Sequence, residues 1–285
     1  MNVARSKSEL RNLLAPARAA GQSVGLVPTM GALHEGHLSL LSAARERCDV
    51  VVMSLFVNPA QFGPGEDLAG YPRDEQRDLD LAEAAGVDLV WAPPADEVYP
   101  PGYDTTVEVG EDLTGVLCGD PERRGPEHFR GVTTVVAKLF NVIHPTIAFF
   151  GQKDAQQAIV IQRMAADLDF DVEIAVVPTV RENDGLAMSS RNAYLDAEER
   201  KRAAALSRAL AAVERAAGSG ESDIERILEP GRAELAAAGI EAEYLEARDA
   251  TTLAPAQSLN GRPVLVAVAA RVGKARLIDN TVIGG

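Results

Sequence analysis

Five short apolar runs rich in β-branched residues, at positions 23–28, 49–57, 87–92, 146–151 and 172–179, alternate along this chain with amphipathic stretches of helix length. No other feature constrains the fold as much. Strands that are apolar on both faces need cover on both, and helical crossovers supply it between parallel neighbours. The helical candidates are 7–20, 36–47, 73–85, 131–142 and 155–168, and the first stops at Gly21, a residue suited to a helix C-terminus. The pattern predicts an α/β fold, with a Rossmann-like parallel sheet carrying helices on both faces over residues 1–182.

Past Asn183 the texture changes. Asp196 with Glu199 three residues on reads as a capping box that opens an alanine-rich helix closing near Gly218, and a second helix follows at 222–238. Segments 242–247, 264–272 and 276–278 read as short strands, so residues 183–285 are expected to form a smaller C-terminal α/β domain that closes over the site of the first.

With 42 acidic against 28 basic residues the formal charge is -14, which argues against a nucleic-acid or anionic-membrane surface. Any phosphate-binding site must then be a local cationic pocket in an acidic protein. No apolar run approaches the ~20 residues that cross a bilayer, and the N-terminal stretch lacks the pattern of a cleaved leader, so a cytoplasmic location is expected. Cys48 and Cys118 stand far apart without a nearby Cys or His, as buried or idle thiols do.

The stretch Pro28-Thr29-Met30-Gly31-Ala32-Leu33-His34-Glu35-Gly36-His37 begins where the first strand ends and runs into a helix. Ligands of open α/β sheets bind beyond the carboxyl ends of strands, where a helix N-terminus offers free N–H groups to a phosphate. His34 and His37, three apart, reach the same side. A strand-to-helix turn with two surface histidines has the same sequence. Zinc is poorly served, because His-Glu-Gly-His lacks the spacing of a His-Glu-x-x-His helix, and there is no Walker-A or G-x-G-x-x-G loop.

Three further strand ends carry polar residues. Gly151-Gln152-Lys153-Asp154 places a point charge suited to polyphosphate before a helix, although an ordinary solvated helix start reads alike. Met188-Ser189-Ser190-Arg191 supplies hydroxyls and a guanidinium able to grip charge on a transferring phosphate, or else is a hydrophilic loop. Asn58 and Gln61 open a Gly/Pro-rich loop, residues 60–70, long enough to act as a lid or to be a plain surface loop; their amides suit a substrate bearing hydroxyls and a carboxylate.

Together these segments resemble the pantothenate synthetase family, within the nucleotidyltransferases that grip ATP through a His-x-Gly-His element and a Lys/Met-Ser-Ser loop. Stretches 56–62, 66–73, 128–140 and 149–157 also resemble that family, in its order. The resemblance implies ATP-dependent condensation of pantoate with β-alanine through a pantoyl adenylate, releasing AMP and pyrophosphate. It assigns ATP to Met30, Gly31, Ala32, Leu33, His34, Glu35, Gly36 and His37, with His37 as proton donor, and to Gly151, Gln152, Lys153, Asp154, Val180, Met188, Ser189, Ser190 and Arg191. His34, His37, Lys153, Ser189, Ser190 and Arg191 are the catalytic set, positioning the phosphates and neutralising the charge that grows on them.

Pantoate and β-alanine fall to Pro28, Thr29, Met30, Asn58, Gln61 and Gln157. Magnesium, bound chiefly through the phosphates, is assisted by an acidic residue for which Asp78 is the candidate, and the assembly implied is a homodimer. One segment departs from the family pattern. Where an Arg-Pro pair usually follows Leu-x-Gly, this chain has a longer run, 117–129, in which either Arg123 or Arg124 takes the arginine's place. The rival readings are a nucleotidyltransferase that keeps the nucleotide in its product, a non-catalytic ATP binder, and a metallohydrolase built on the histidines.

Overall fold

The computed structural model describes residues 1–63 and 68–284. Among those residues β1 (Asn2–Ala4), β2 (Val24–Thr29), β3 (Val50–Leu55), β4 (Leu89–Trp91), β5 (Ile147–Gly151) and β6 (Glu173–Val177) form one parallel sheet in the order β1-β4-β3-β2-β5-β6. Helices α1 (Lys7–Ala19), α2 (Glu35–Arg47), α3 (Glu75–Ala84), α6 (Pro126–Ile143) and α7 (Ala155–Asp167) make the crossovers, with short α4 (Ala95–Val98) and α5 (Glu111–Thr114) before α6.

The sheet is apolar on both sides because its strands alternate between two cores. Leu26 and Val52 are register partners and pack beneath α1, α6 and α7 with Leu10, Leu14, Val136 and Ile161. Their neighbours Val27 and Met53, also partners, face α2 and α3 with Leu41 and Ala82. At about 1.5–3 kcal/mol for each large aliphatic side chain buried, this two-sided packing dominates the stability of the sheet. Helix starts are set locally: Ser6 and Glu9 form a capping box on α1, and the Asp74 side chain caps α3.

The C-terminal part is a second sheet, antiparallel, of β7 (Ala242–Asp249), β8 (Val264–Val272) and β9 (Ala275–Ile283). Helices α8 (Ala197–Ala203), α9 (Ala205–Gly218) and α10 (Ile224–Ala237) accompany it. In β8, Val266 and Val268 turn to Leu206, Leu210 and Ile227, while Leu265, Ala267 and Ala269 turn the other way onto Leu113, Ile159 and Val160. Strand alternation thus gives one face to the local core and the other to the joint with the first sheet.

Two expectations need correcting. The helix opened by Asp196 is not continuous to Gly218; it breaks at Ala204, whose ψ of -13° departs from the α-helical value and ends α8 before α9 begins. Edge strand β1, three residues pairing with β4, was not foreseen, because it holds too little alternation to be read. Among the described residues no helix is long and apolar enough to cross a membrane.

The strand order determines where a ligand can sit. From β2 the chain proceeds outward through β3 and β4, then returns to place β5 on the other side of β2. Loops leaving β2 and β5 depart toward opposite faces, so a crevice opens between their carboxyl ends.

Candidate active site

That crevice is a cleft of about 1590 Å³ including its mouth. Its first wall is the turn after β2. The Thr29 hydroxyl donates to the Ser54 carbonyl at 2.8 Å, ending the strand firmly. Gly31 and Ala32 then take left-handed φ of +86° and +52°, a costly conformation for alanine that something must hold. Asp78, on α3 and 1% exposed, does so: its carboxylate accepts the amides of Ala32 at 2.9 Å and Leu33 at 2.8 Å. A Cβ on Gly31 would lie 2.9 Å from the same carboxylate.

The two histidines follow with their ring nitrogens already differentiated. The Gly36 amide donates to His34 Nδ1 at 3.1 Å, and the His34 amide donates to His37 Nδ1 at 3.3 Å. Each Nδ1 is an acceptor, so in the neutral rings the proton sits on Nε2 and is presented as a donor. Burial pushes His34 down to about 4, helped by the Lys153 ammonium, and pushes His37 down to about 3, helped by His34 and Lys153. The rings lie 4.2 Å apart between centroids.

Asn58 is 1% exposed and fully engaged: its Nδ2 donates to Gln61 Oε1 at 3.0 Å and to the Gly131 carbonyl at 3.1 Å, and its Oδ1 accepts from the Tyr99 hydroxyl at 2.8 Å. Asn58 therefore orients Gln61, whose amide oxygen is occupied. Gly131 lets the Pro59–Gln61 turn lie against α6, since a Cβ there would stand 2.1 Å from the Ala60 carbonyl oxygen. Of the 60–70 loop expected to act as a lid, residues 64–67 lie outside the described residues.

The second wall comes from the ends of β5 and β6. Lys153 and Asp154 follow Gly151, with Lys153 Nζ 3.6 Å from the Asp154 carboxylate. Beyond β6, Val180 and then Met188, Ser189, Ser190 and Arg191 border the cleft, and the Ser189 hydroxyl accepts the Arg191 amide at 3.3 Å.

Among the residues expected from sequence, the cleft brings together Pro28, Thr29, Met30, His34, Gly36, His37, Asn58, Gln61, Gly151, Lys153, Asp154, Gln157, Val180, Met188, Ser189, Ser190 and Arg191. It does not include Gly31, Ala32, Leu33, Glu35, Gln152 or Asp78. Leu33 is a buried anchor, Glu35 is exposed in the first turn of α2, and the Gln152 amide donates to Asn280 of β9 at 2.9 Å. Asp78, the expected metal ligand, lies behind the loop, where each of its oxygens accepts a backbone amide.

Sequence reasoning missed several lining residues. Lys138 enters from α6, Tyr71 and His128 border the same space, and the buried Thr179 hydroxyl finds no partner among the described residues. Lys138 had a signal, a lone cation inside the apolar face of a helix. Arg123 and Arg124 occupy different places. Arg123 binds the Leu117 carbonyl and Glu246 and stacks 4.6 Å over Tyr244, whereas Arg124 lines the cleft and meets His128 Nε2 at 3.1 Å.

Arg124, Lys138, Lys153 and Arg191 thus face the cleft against one carboxylate, Asp154, among its described lining. An acidic protein has concentrated positive charge in one place, at a strand switch point and beside two imidazole donors. Among the described residues no group of three or more His, Cys, Asp or Glu side chains is placed to hold a metal ion.

Fold and site together define a class: an α/β protein with a polyanion-binding cleft at the carboxyl edge of its parallel sheet. Within that class the particular family is shown by comparison, for residues 2–282 match the model of the pantoate-beta-alanine ligase family, and the chain belongs to it. It is 53% identical over 288 residues to the pantothenate synthetase of Pelotomaculum thermopropionicum, covering 100% of this chain and 99% of that protein. The crystal structure of pantothenate synthetase from Thermus thermophilus is similar with a TM-score of 0.90 and 48% identity, covering 99% of both chains. That of the Francisella tularensis pantoate-beta-alanine ligase, complexed with beta-gamma ATP and beta-alanine, is similar at a TM-score of 0.80 and 31% identity, over 99% of this chain and 97% of that one.

Proposed function

We infer that this chain is a ligase that uses ATP to join pantoate to β-alanine, giving pantothenate, AMP and pyrophosphate through a pantoyl adenylate. The observation that carries the reading is the meeting of His34, His37, Lys153, Ser189, Ser190 and Arg191 with Gln61 and Gln157 around one cleft. Charge suited to a triphosphate lies beside amides suited to a small hydroxy acid.

A carboxylate does not acylate an amine unaided. In the first step a pantoate oxygen attacks the α-phosphorus and pyrophosphate leaves; in the second the β-alanine amine attacks the acyl carbon, AMP leaves, and the amine gives up a proton. The protein's part is to position and to neutralise. The Nε2–H groups of His34 and His37 donate to phosphate oxygens, Lys153 and Arg191 balance charge growing on the leaving group, and Gln61 and Gln157 hold the hydroxy acid. Magnesium, when bound, would offset charge on the triphosphate oxygens.

Residues 1–182 act on this reading as the nucleotide- and pantoate-binding domain, with 183–285 as the smaller closing domain. The enzyme works in the cytoplasm as a homodimer, without nucleic acid or membrane. Incubation with MgATP, pantoate and β-alanine is expected to release AMP only when the amine is present. Lys153→Ala or His37→Ala, still folded by circular dichroism, is expected to slow pyrophosphate release by about 10²-fold or more. A nucleotide retained in the product, or pyrophosphate release at the unmodified rate in both variants, overturns the reading.

A further inference from the structure

The floor of the cleft is a row across the sheet. Pro28 on β2 pairs with Ser54 on β3, and Ser54 pairs with Trp91 on β4, so the three side chains leave the same face, and all three border the cleft. Above that row α6 supplies Val132, Val136 and Leu139, which makes this end of the cleft apolar. Trp91 is 2% exposed, yet its indole Nε1–H meets no acceptor among the described residues. A buried tryptophan normally finds a partner for that group.

We infer that Trp91 is a specificity-determining residue: its Nε1–H receives the hydroxyl of the hydroxy acid most distant from the carboxylate, directly or through one bound water. The inference rests on the pantoate reading above. In that substrate the carboxylate must face the phosphates at the His34, His37 and Lys153 end. The two methyl groups then occupy the apolar middle, and the terminal hydroxyl is carried toward the row containing Ser54 and Trp91. A donor at that point distinguishes pantoate from an acid of the same shape without the terminal hydroxyl, because such an acid leaves the indole N–H unsatisfied.

The chain contains 1 tryptophan, so its indole resonance in a ¹H–¹⁵N correlation spectrum belongs to Trp91 in the unmodified protein. Titration with pantoate is expected to move that resonance downfield, while 2-hydroxy-3,3-dimethylbutanoate, the terminally deoxygenated analogue, moves it little at equal saturation. In pyrophosphate-release kinetics, Trp91→Phe is expected to lose about tenfold in kcat/KM for pantoate, mostly through KM, and to change by less than about twofold for the analogue. Equal indole responses to the two acids, or a variant that keeps the original ratio between them, overturns the inference. If the unmodified protein fails to turn over pantoate at all, the functional reading falls instead, and the two failures are distinct.

Discussion

Asp78→Asn separates a residue that holds a loop from one that binds metal. The substitution preserves shape but turns one of two acceptor oxygens into a donor, facing a backbone amide that now has none. At Ala32 or Leu33 a buried N–H loses its bond to a charged acceptor, and the new amide hydrogens oppose it. A lost charged bond and an unsatisfied donor together cost about 2–4 kcal/mol. Part of this is expected as a Tm lower by roughly 4–8 °C, and part as relaxation of the left-handed Gly31-Ala32 turn. The turn carries His34 and His37, so a shift of about 1 Å reduces the adenylation rate by about 10²-fold. The assay is pyrophosphate release against magnesium concentration. A positioning role leaves the half-saturating magnesium unchanged while kcat falls; recovery of the variant at high magnesium would refute the argument and restore Asp78 as a ligand.

Two other outcomes follow from the same geometry. Both His34 and His37 are expected to stay neutral, with the proton on Nε2, from pH 8 to pH 5, as read by ¹⁵N chemical shifts among the chain's 4 histidines. Their folded values, about 4 and about 3, lie below the ordinary 6.5, so the unfolded chain takes up protons first; stability is full above pH 6.5 and declines as pH falls toward 4, and a His37→Gln variant should flatten that slope. Gly131→Ala would set a methyl 2.1 Å from the Ala60 carbonyl oxygen and 2.7 Å from Gln61 Cα. Because both are backbone atoms, the 59–61 turn must move, and the KM for pantoate is expected to rise about tenfold with that for ATP little changed.

Most of the parallel sheet is legible in the chain, because strands buried on both faces are written as unbroken apolar runs and the helices between them begin at identifiable caps. The β8 strand, 264–272, is read to the residue, and α1 to within one. Legibility fails where the cause is tertiary. Asp78 reads as a carboxylate near a phosphate site, and only its packing against the turn 46 positions earlier shows that its oxygens accept the amides of Ala32 and Leu33. Asn58 reads as a substrate ligand, and the sequence does not show its partners on α6 and at Tyr99. The choice between Arg123 and Arg124 cannot be made from two adjacent arginines; it depends on Tyr244 and Glu246, more than a hundred positions away.

The C-terminal strand β9 explains how a protein of charge -14 keeps a cationic cleft. Asp279, 3% exposed, accepts Arg181 at 2.6 Å and 3.1 Å, and Arg200 pairs with Glu182 and with Asp184 at 2.9 Å. Both acids of the 181–192 loop, Glu182 and Asp184, are thereby paired with Arg200. Next to Asp279, the Asn280 side-chain amide donates to the carbonyls of Gln152 at 2.8 Å and Lys153 at 2.9 Å, so the lysine is anchored through its backbone. One strand thus anchors both the loop bearing Lys153 and the loop bearing Arg191. Within the cleft Asp154, 3.6 Å from Lys153 Nζ, is the one carboxylate of the described lining that an incoming triphosphate would meet.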